Sequence, residues 1–481
     1  MISNYKKFCL VIILVGFSLR VHQLGSDSFW NDEAGVALAA LLPDLQSMID
    51  AIRSHAMAMP MDYLLIRGVI RLGFQEFVLR LPAAVFGTLT LAICYRLFRR
   101  LIGEVAALLS VLLLALSPLH IMYSQEMRFY ASLIFFFYLS LDLFIEAIEK
   151  SALLNWALLI LILIIGTFFH IYVSLSLICG LAWAIANKKM RQLGHSFALG
   201  GLFTAFSAIL LGYLYFGDHQ KFGYPLLPWG GSLFQEIALG LGWQELPFTP
   251  SPNIGSSWYI MCFAFFLLGL ITSLKRGNKS VIALMTSSLI QILLIITADL
   301  LKRYWFVYRQ ILYLHPAMLM VSSIGLLTGM HLLKRCKRMI VEGWLTAALI
   351  GMLLLSSSFP ALANYYQWPK SDARWISEYL SRNWRPGEAI LVAPGYQEKV
   401  YRYYLQHVYS RPDIAAWIYP TEIDNIIIKG RTDVNESFLI VVGELSSDND
   451  WIAQLLRMGF KPVKMSESRW LGQSLFVRKQ E

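Results

Sequence analysis

From Leu153 to Ala186 the sequence carries almost no charge and is long enough for two membrane spans of about 17 residues each. A run of this kind leaves few options. Backbone N–H and C=O groups find no water in lipid, so only helices or closed barrels cross a bilayer. The apolar residues run on without the alternation of a barrel strand, which selects helices. The whole chain agrees: 57% of its residues are hydrophobic, 15% are charged, and the mean hydropathy is +0.55. Soluble domains carry roughly 25% charged residues. Such an apolar excess does not fit inside one water-soluble core.

Eleven candidate spans can be drawn, at about 7–24, 77–97, 104–122, 129–147, 153–169, 171–187, 195–216, 257–274, 280–299, 310–329 and 340–359. The run from Phe8 to Leu19 follows Lys6 and Lys7 and lacks a small-residue cleavage site, so it is expected to be a retained first span. Basic clusters mark five ends: Lys6/Lys7, Arg96/Arg99/Arg100, Lys188/Lys189/Arg191, Lys275/Arg276/Lys279 and Lys334/Arg335/Lys337/Arg338. With eleven spans, all five fall on one side, which the positive-inside rule makes cytoplasmic. The expected localisation is a bacterial inner membrane, with the N-terminus cytoplasmic.

The net charge of +10 is accounted for by these anchors, and no nucleic-acid motif accompanies it. Cys9, Cys94, Cys179, Cys262 and Cys336 lie in or beside apolar spans without metal-ligand spacing, so no disulfide framework is expected.

This topology places four segments outside: about 25–76, the turn 124–130, the Trp-, Pro- and Gly-rich loop 217–256, and the polar region 361–481. The domain division is therefore 1–360, membrane-embedded, and 361–481, a small extracytoplasmic α/β domain. Within the latter the pattern predicts helices over 371–383, 397–407 and 451–458 and strands over 388–393 and 438–442.

Three outer features can carry chemistry. Phe29-Trp30-Asn31-Asp32-Glu33-Ala34 sets two adjacent carboxylates just past the first span. As a solvated acid pair they would cap a short helix from Asn31. As a functional pair, one would deprotonate an acceptor hydroxyl and the other hold the geometry. The second feature is Ser124-Gln125-Glu126-Met127-Arg128-Phe129-Tyr130. Arg128 presents a fork of donors suited to phosphate, or snorkels at the interface beside Glu126. The third is Lys302-Arg303-Tyr304-Trp305-Phe306-Val307-Tyr308-Arg309, basic on the outer side against the general trend, as an anionic headgroup would require. His55, His120, His170 and His219 also fall outside. They lack ligand spacing, which favours bonds to backbone or water, and a divalent metal stays an open possibility; no cofactor is otherwise called for.

From Leu19-Arg20 through Trp30-Asn31-Asp32-Glu33 the sequence resembles bacterial GT-C glycosyltransferases of the family 39 type, the group of protein O-mannosyltransferases and aminoarabinose transferases. Ser117-Pro118 with Ser124 to Tyr130, Leu79-Arg80-Leu81-Pro82, and Arg309 with Pro316 match further motifs in order over the first 330 residues or so. The resemblance implies a GT-C helical bundle with a polyprenyl-phosphate sugar donor and inversion at the anomeric carbon. It implies Asp32 as base with Glu33 beside it, and Arg128 and Arg309 on the carrier phosphate. Trp30, His55, Asp62, Glu126, Tyr130 and His170 are the candidate lining residues. The chain departs from the family where His-Pro-Pro-x-Tyr is usual. It reads His55-Ala56-Met57-Ala58-Met59-Pro60-Met61-Asp62-Tyr63, which puts the role of His55 in doubt and makes Asp62 a second candidate acid. There is no room for a β-trefoil insertion, so a lipid or glycan acceptor stands beside protein. The competing classes are a transporter or flippase of lipid-linked sugars and a noncatalytic sugar-binding protein. A transporter would set its ionisable groups near the midplane, where Asp142 is the main exception to their outer placement.

Overall fold

In the computed structural model the described residues are 4–53, 59–189, 232–244, 255–302, 306–335, 343–367, 371, 373–420, 438–443, 455–457, 459–464 and 473–477. Their helices are α1 (Asn4–Val21), α2 (Asn31–Ala40), α3 (Leu45–Arg53), α4 (Pro60–Val69), α5 (Glu76–Ile102), α6 (Glu104–Ala115), α7 (Pro118–Ser124), α8 (Tyr130–Lys150) and α9 (Leu153–Phe169). They continue with α10 (Ser176–Ala186), α11 (Leu233–Gly240), α12 (Ser256–Lys275), α13 (Lys279–Lys302), α14 (His315–Arg335), α15 (Gly343–Tyr366), α16 (Ala373–Asn383), α17 (Glu398–Tyr403) and α18 (Pro412–Ala415). A helix occupies every expected span except 195–216, which lies outside the described residues. Among the described residues five helices are long and apolar enough to cross a membrane, or six if the bent pair α6 and α7 counts as one span.

The chain divides into two compact units. The first comprises Met1–His22, Ile49–Asp62 and Pro82–Tyr365, and is helical. The segments Tyr130–Lys150 and Tyr308–Leu332 are 83% buried over their apolar windows, against 44% for Ser256–Lys275 and Lys279–Leu301. The former two therefore form the interior, and the latter two present outward faces of leucine and isoleucine such as Leu267, Ile271, Leu289 and Leu293. Span 104–122 is not one straight helix: Pro118 starts α7 after a 62° bend, with Ser117 as its N-cap. Arg20, fully buried at the end of α1, holds that bend. Its Nη2 donates to Leu114 O at 3.3 Å and lies 2.7 Å from His120 Nδ1, and its Nη1 reaches Ala115 O at 3.4 Å. A cation at these last carbonyls of α6 satisfies groups the helix cannot bond itself. Asp142, on α8, is paired: Arg96 Nε stands at 2.9 Å and Arg100 Nη1 at 2.7 Å.

The second unit comprises Gln23–Met48, Tyr63–Leu81 and Tyr366–Glu481. Packing thus groups parts of the first loop with the polar C-terminal region, which composition alone would have begun at 361. Its sheet has strands β1 (Ala389–Ala393), β2 (Ile418–Pro420), β3 (Phe438–Gly443), β4 (Lys461–Lys464) and β5 (Gln473–Val477), in the order β2-β1-β3-β5-β4. Strand β1 pairs in parallel with both β2 and β3, while β5 runs antiparallel to β3 and β4. Ile390 to Ala393 are all buried, the unbroken apolar pattern of a central parallel strand.

Candidate active site

In the second unit the adjacent acids separate. Asn31 starts α2, so Asp32 and Glu33 lie in its first turn, where the helix dipole favours negative charge. Glu33 is fully buried and Asp32 is half-buried. Both Glu33 oxygens are held by Arg80, Nε to Oε1 at 2.8 Å and Nη2 to Oε2 at 2.6 Å. Glu33 Oε2 also accepts from the N–H of Trp30, the N-cap residue, at 3.4 Å. Arg80 donates further to Leu24 O, Asp27 O and Ser28 O at 3.2, 2.9 and 3.1 Å. One guanidinium thus locks the start of α2 to the irregular segment before it. The fork-on-carboxylate pair is the geometry for which arginine is suited. The sequence reading singled out Glu33 but saw Arg80 only as part of a resemblance. The signal available was physical: an arginine opening an apolar run needs a buried partner.

In the first unit a separate group forms around the turn before α8. Arg128 is half-buried, with its guanidinium 5.2 Å from the Phe129 ring centroid. Phe129 stacks on His170 at 4.4 Å and meets Tyr130 at 4.5 Å. Nδ1 of His170 accepts from the Tyr172 N–H at 3.2 Å, so the ring proton sits on Nε2. Burial, with the charge of Arg128 nearby, pushes His170 down to about 3, and the ring stays neutral near pH 7. Asp62 is also buried and within electrostatic reach of Arg128. Desolvation raises its carboxyl to about 6 against the opposing pull of that arginine. Asp62 Oδ2 has no hydrogen-bond partner among the described residues.

Beside them, Tyr123 packs on Tyr130 at 4.7 Å and on Tyr308 at 6.2 Å. Tyr123 lies within electrostatic reach of both Glu126 and Arg309. The Tyr308 N–H donates to Glu236 Oε2 at 2.8 Å. Burial pushes the Glu236 carboxyl up, opposed by that bond and by Arg309. Gln125 fixes the turn. Its amide donates to Arg20 O at 3.0 Å and His22 O at 2.7 Å, and its Oε1 accepts from the Tyr365 hydroxyl at 2.7 Å. Arg128, Asp62 and His170 therefore come together, as do Glu126, Tyr130 and Arg309 around the tyrosines. Tyr123 and Glu236 were not foreseen, and Tyr308 stood only within the basic outer feature 302–309. His55 and residues 303–305 lie outside the described residues. Among the described residues no three His, Cys, Asp or Glu side chains gather as a metal site.

A helical membrane bundle, a first loop carrying the acid pair at a helix start, and a small α/β region at the C-terminal end make up the GT-C architecture of polytopic membrane glycosyltransferases. The comparisons agree on that fold. A family model described as dolichyl-phosphate-mannose-protein mannosyltransferase matches residues 54–213. The crystal structure of ArnT from Cupriavidus metallidurans in the apo state matches at a TM-score of 0.60 and 11% identity, covering 100% of both chains. The same protein bound to undecaprenyl phosphate matches at 0.58 and 12%, covering 98% of this chain and 99% of that one. The archaeal oligosaccharyltransferase AglB from Archaeoglobus fulgidus, in complex with an inhibitory peptide and a dolichol-phosphate, matches at 0.53 and 11%, covering 91% and 69%. No curated protein matches the chain.

Proposed function

We propose that this chain is an inverting glycosyltransferase that moves a sugar from a polyprenyl-phosphate donor to an acceptor hydroxyl on the outer side of a bacterial inner membrane. The observation that carries this reading is the state of the acid pair: Arg80 occupies both oxygens of Glu33, while Asp32, one residue earlier, stays half-exposed. Glu33 is then the geometric anchor and Asp32 the base. Asp32 takes the proton of the acceptor hydroxyl as its oxygen attacks the anomeric carbon. The bond to the carrier phosphate breaks on the opposite face, so the configuration inverts. Arg128 and Arg309 hold the departing phosphate, and the neutral His170 offers an Nε2–H to an oxygen beside it. The fold it shares with a protein bound to undecaprenyl phosphate supports a lipid carrier of that class. The acceptor is a lipid, glycan or protein hydroxyl of the cell envelope.

The test uses the full chain in lipid nanodiscs with radiolabelled undecaprenyl-phosphate pentoses and hexoses and an envelope extract as acceptor. One donor is consumed, its label moves to an acceptor, and Asp32→Asn lowers turnover by about 10²–10⁴-fold. Transbilayer movement of intact donor in vesicles, with no labelled product, would instead establish the flippase reading.

A further inference from the structure

Residues 23–30, between α1 and α2, form no helix or strand, yet they lead directly into the turn that carries Asp32. Backbone polar groups in such a segment need partners from elsewhere. The C-terminal region supplies many of them. The Phe29 N–H donates to the Tyr404 hydroxyl at 2.7 Å. Arg374 Nη2 donates to Gly25 O and Ser26 O, both at 3.1 Å. The Ser28 hydroxyl donates to Ser371 O at 2.5 Å.

Glu76, in the first turn of α5, ties these contacts together. Its Oε1 accepts from the Tyr404 hydroxyl at 2.5 Å and pairs with Arg374 Nε at 2.9 Å. The Tyr404 oxygen thus accepts from the loop and donates to Glu76 at once. Burial beside Glu76 holds the phenol well above its usual range, so it keeps its proton and keeps donating. Phe29 packs against the rings of Tyr403 at 5.4 Å and Tyr404 at 6.2 Å. Helix α2 itself lies along α17, where a Cβ added at Gly35 would meet the Lys399 side chain at 3.8 Å. All of these residues belong to one compact unit.

We infer that Tyr404, with Glu76 and Arg374, is a positioning residue for the base: the C-terminal domain sets the place of Asp32 through the Phe29 backbone. This rests on Asp32 being the base. Phe29 is three residues from Asp32, and a catalytic group misplaced by 1 Å can cost about 10²-fold in rate. The C-terminal domain is accordingly part of the catalytic apparatus and not a separable appendage.

Tyr404→Phe tests this, since it keeps the ring and removes both hydrogen bonds. The full chain in nanodiscs is compared with wild type, with Asp32→Asn, and with Tyr419→Phe as an exposed control. Amide exchange over residues 24–33 is expected to quicken about tenfold in Tyr404→Phe while α8 and α14 stay protected. With the donor consumed in the assay above, kcat is expected to fall about 10–100-fold, with donor KM within about twofold of wild type. Unchanged exchange of 24–33 overturns the inference, whatever the donor. So does quicker exchange with unchanged kcat, or a loss of kcat that comes with loosening of the whole bundle. Wild-type turnover in Asp32→Asn defeats the assignment of the base instead, and leaves the exchange result to report on the loop.

Discussion

Glu33 and Arg80 are 1% and 3% exposed at their side chains, so neither charge has water to fall back on. Removing one partner of such a pair leaves the other buried and uncompensated, at a cost of about 3–5 kcal/mol. Glu33→Gln is therefore expected to lower stability by that order, and Arg80→Lys to lower it too, because lysine cannot span both oxygens. Asp32→Asn, at a half-exposed position, is expected to leave thermal unfolding in detergent nearly unchanged. Equal unfolding temperatures for Glu33→Gln and wild type would remove Glu33 from the anchoring role. Asp62 gives a prediction in pH. Its carboxyl is raised from an ordinary 3.8 to about 6, so the folded state binds a proton that the unfolded chain has already lost. The stabilisation is complete below pH 4 and lost as pH rises through about 6. By linkage this is worth roughly 3 kcal/mol across that window. Asp62→Asn is expected to flatten the pH dependence between 4 and 7 and to be the more stable form at pH 7.5. A variant whose unfolding still tracks pH as wild type does would place the titrating group elsewhere.

At the scale of the element, membrane helices approach closely where small residues face each other, because lipid gives apolar side chains no reason to bury. Helices α12 and α14 do this at Gly269 and Gly325. A Cβ built on Gly325 would stand 1.8 Å from Phe265 O, and one on Gly269 2.0 Å from Val321 O. Backbone cannot step aside as a flexible side chain can. Gly325→Leu is expected to lower stability by about 3 kcal/mol or more, the upper end of overpacking costs. Gly329→Ala, one turn further on and 3.5 Å from Phe265, is expected to be tolerated. Thermal unfolding of the two variants by size-exclusion in detergent separates them, and a Gly325→Leu protein as stable as wild type would deny the close crossing. This contact was invisible in sequence. Apolar runs report how much of a helix is apolar, and so the helices at the described spans were legible to within a few residues. They do not report direction, and so the bend at Pro118 was not. The central strands β1 and β3 were legible as unbroken apolar runs. Strands β2, β4 and β5 were not: β2 and β4 are three and four residues long, each with a proline, and their pairing is decided by neighbours distant in sequence. The acids, arginines and His170 were singled out by residue type and position. Tyr404, Glu76 and Arg374 did not, because a partner more than 300 residues away leaves no local mark.

The whole molecule adds a constraint that no single site supplies, namely sidedness. The proposed chemistry needs the acid pair and the C-terminal domain on the outer side, and the basic clusters inside. Arg99 closes α5, and Arg276 follows α12. Between them lies 195–216, outside the described residues, so the helices alone do not relate the two ends. They share a side only if that stretch crosses the bilayer once, as its apolar run and the flanking Lys188 and Lys189 predict. Cysteine labelling in intact cells checks this directly. Cys9, Cys94, Cys179 and Cys262 are buried, and replacing all five native cysteines gives a silent background. Single cysteines then go to the exposed Arg99, Arg276 and Arg385. A membrane-impermeant maleimide is expected to label Arg385→Cys in intact cells, and Arg99→Cys and Arg276→Cys only after lysis. Labelling of Arg276→Cys in intact cells while Arg99→Cys and Arg385→Cys stay protected would mean that 195–216 does not cross, because three spans separate Arg276 from Arg385. Protection of Arg385→Cys until lysis would put the C-terminal domain inside, and with it the loop bearing Asp32 that it hydrogen-bonds, so no outer-side transfer would survive.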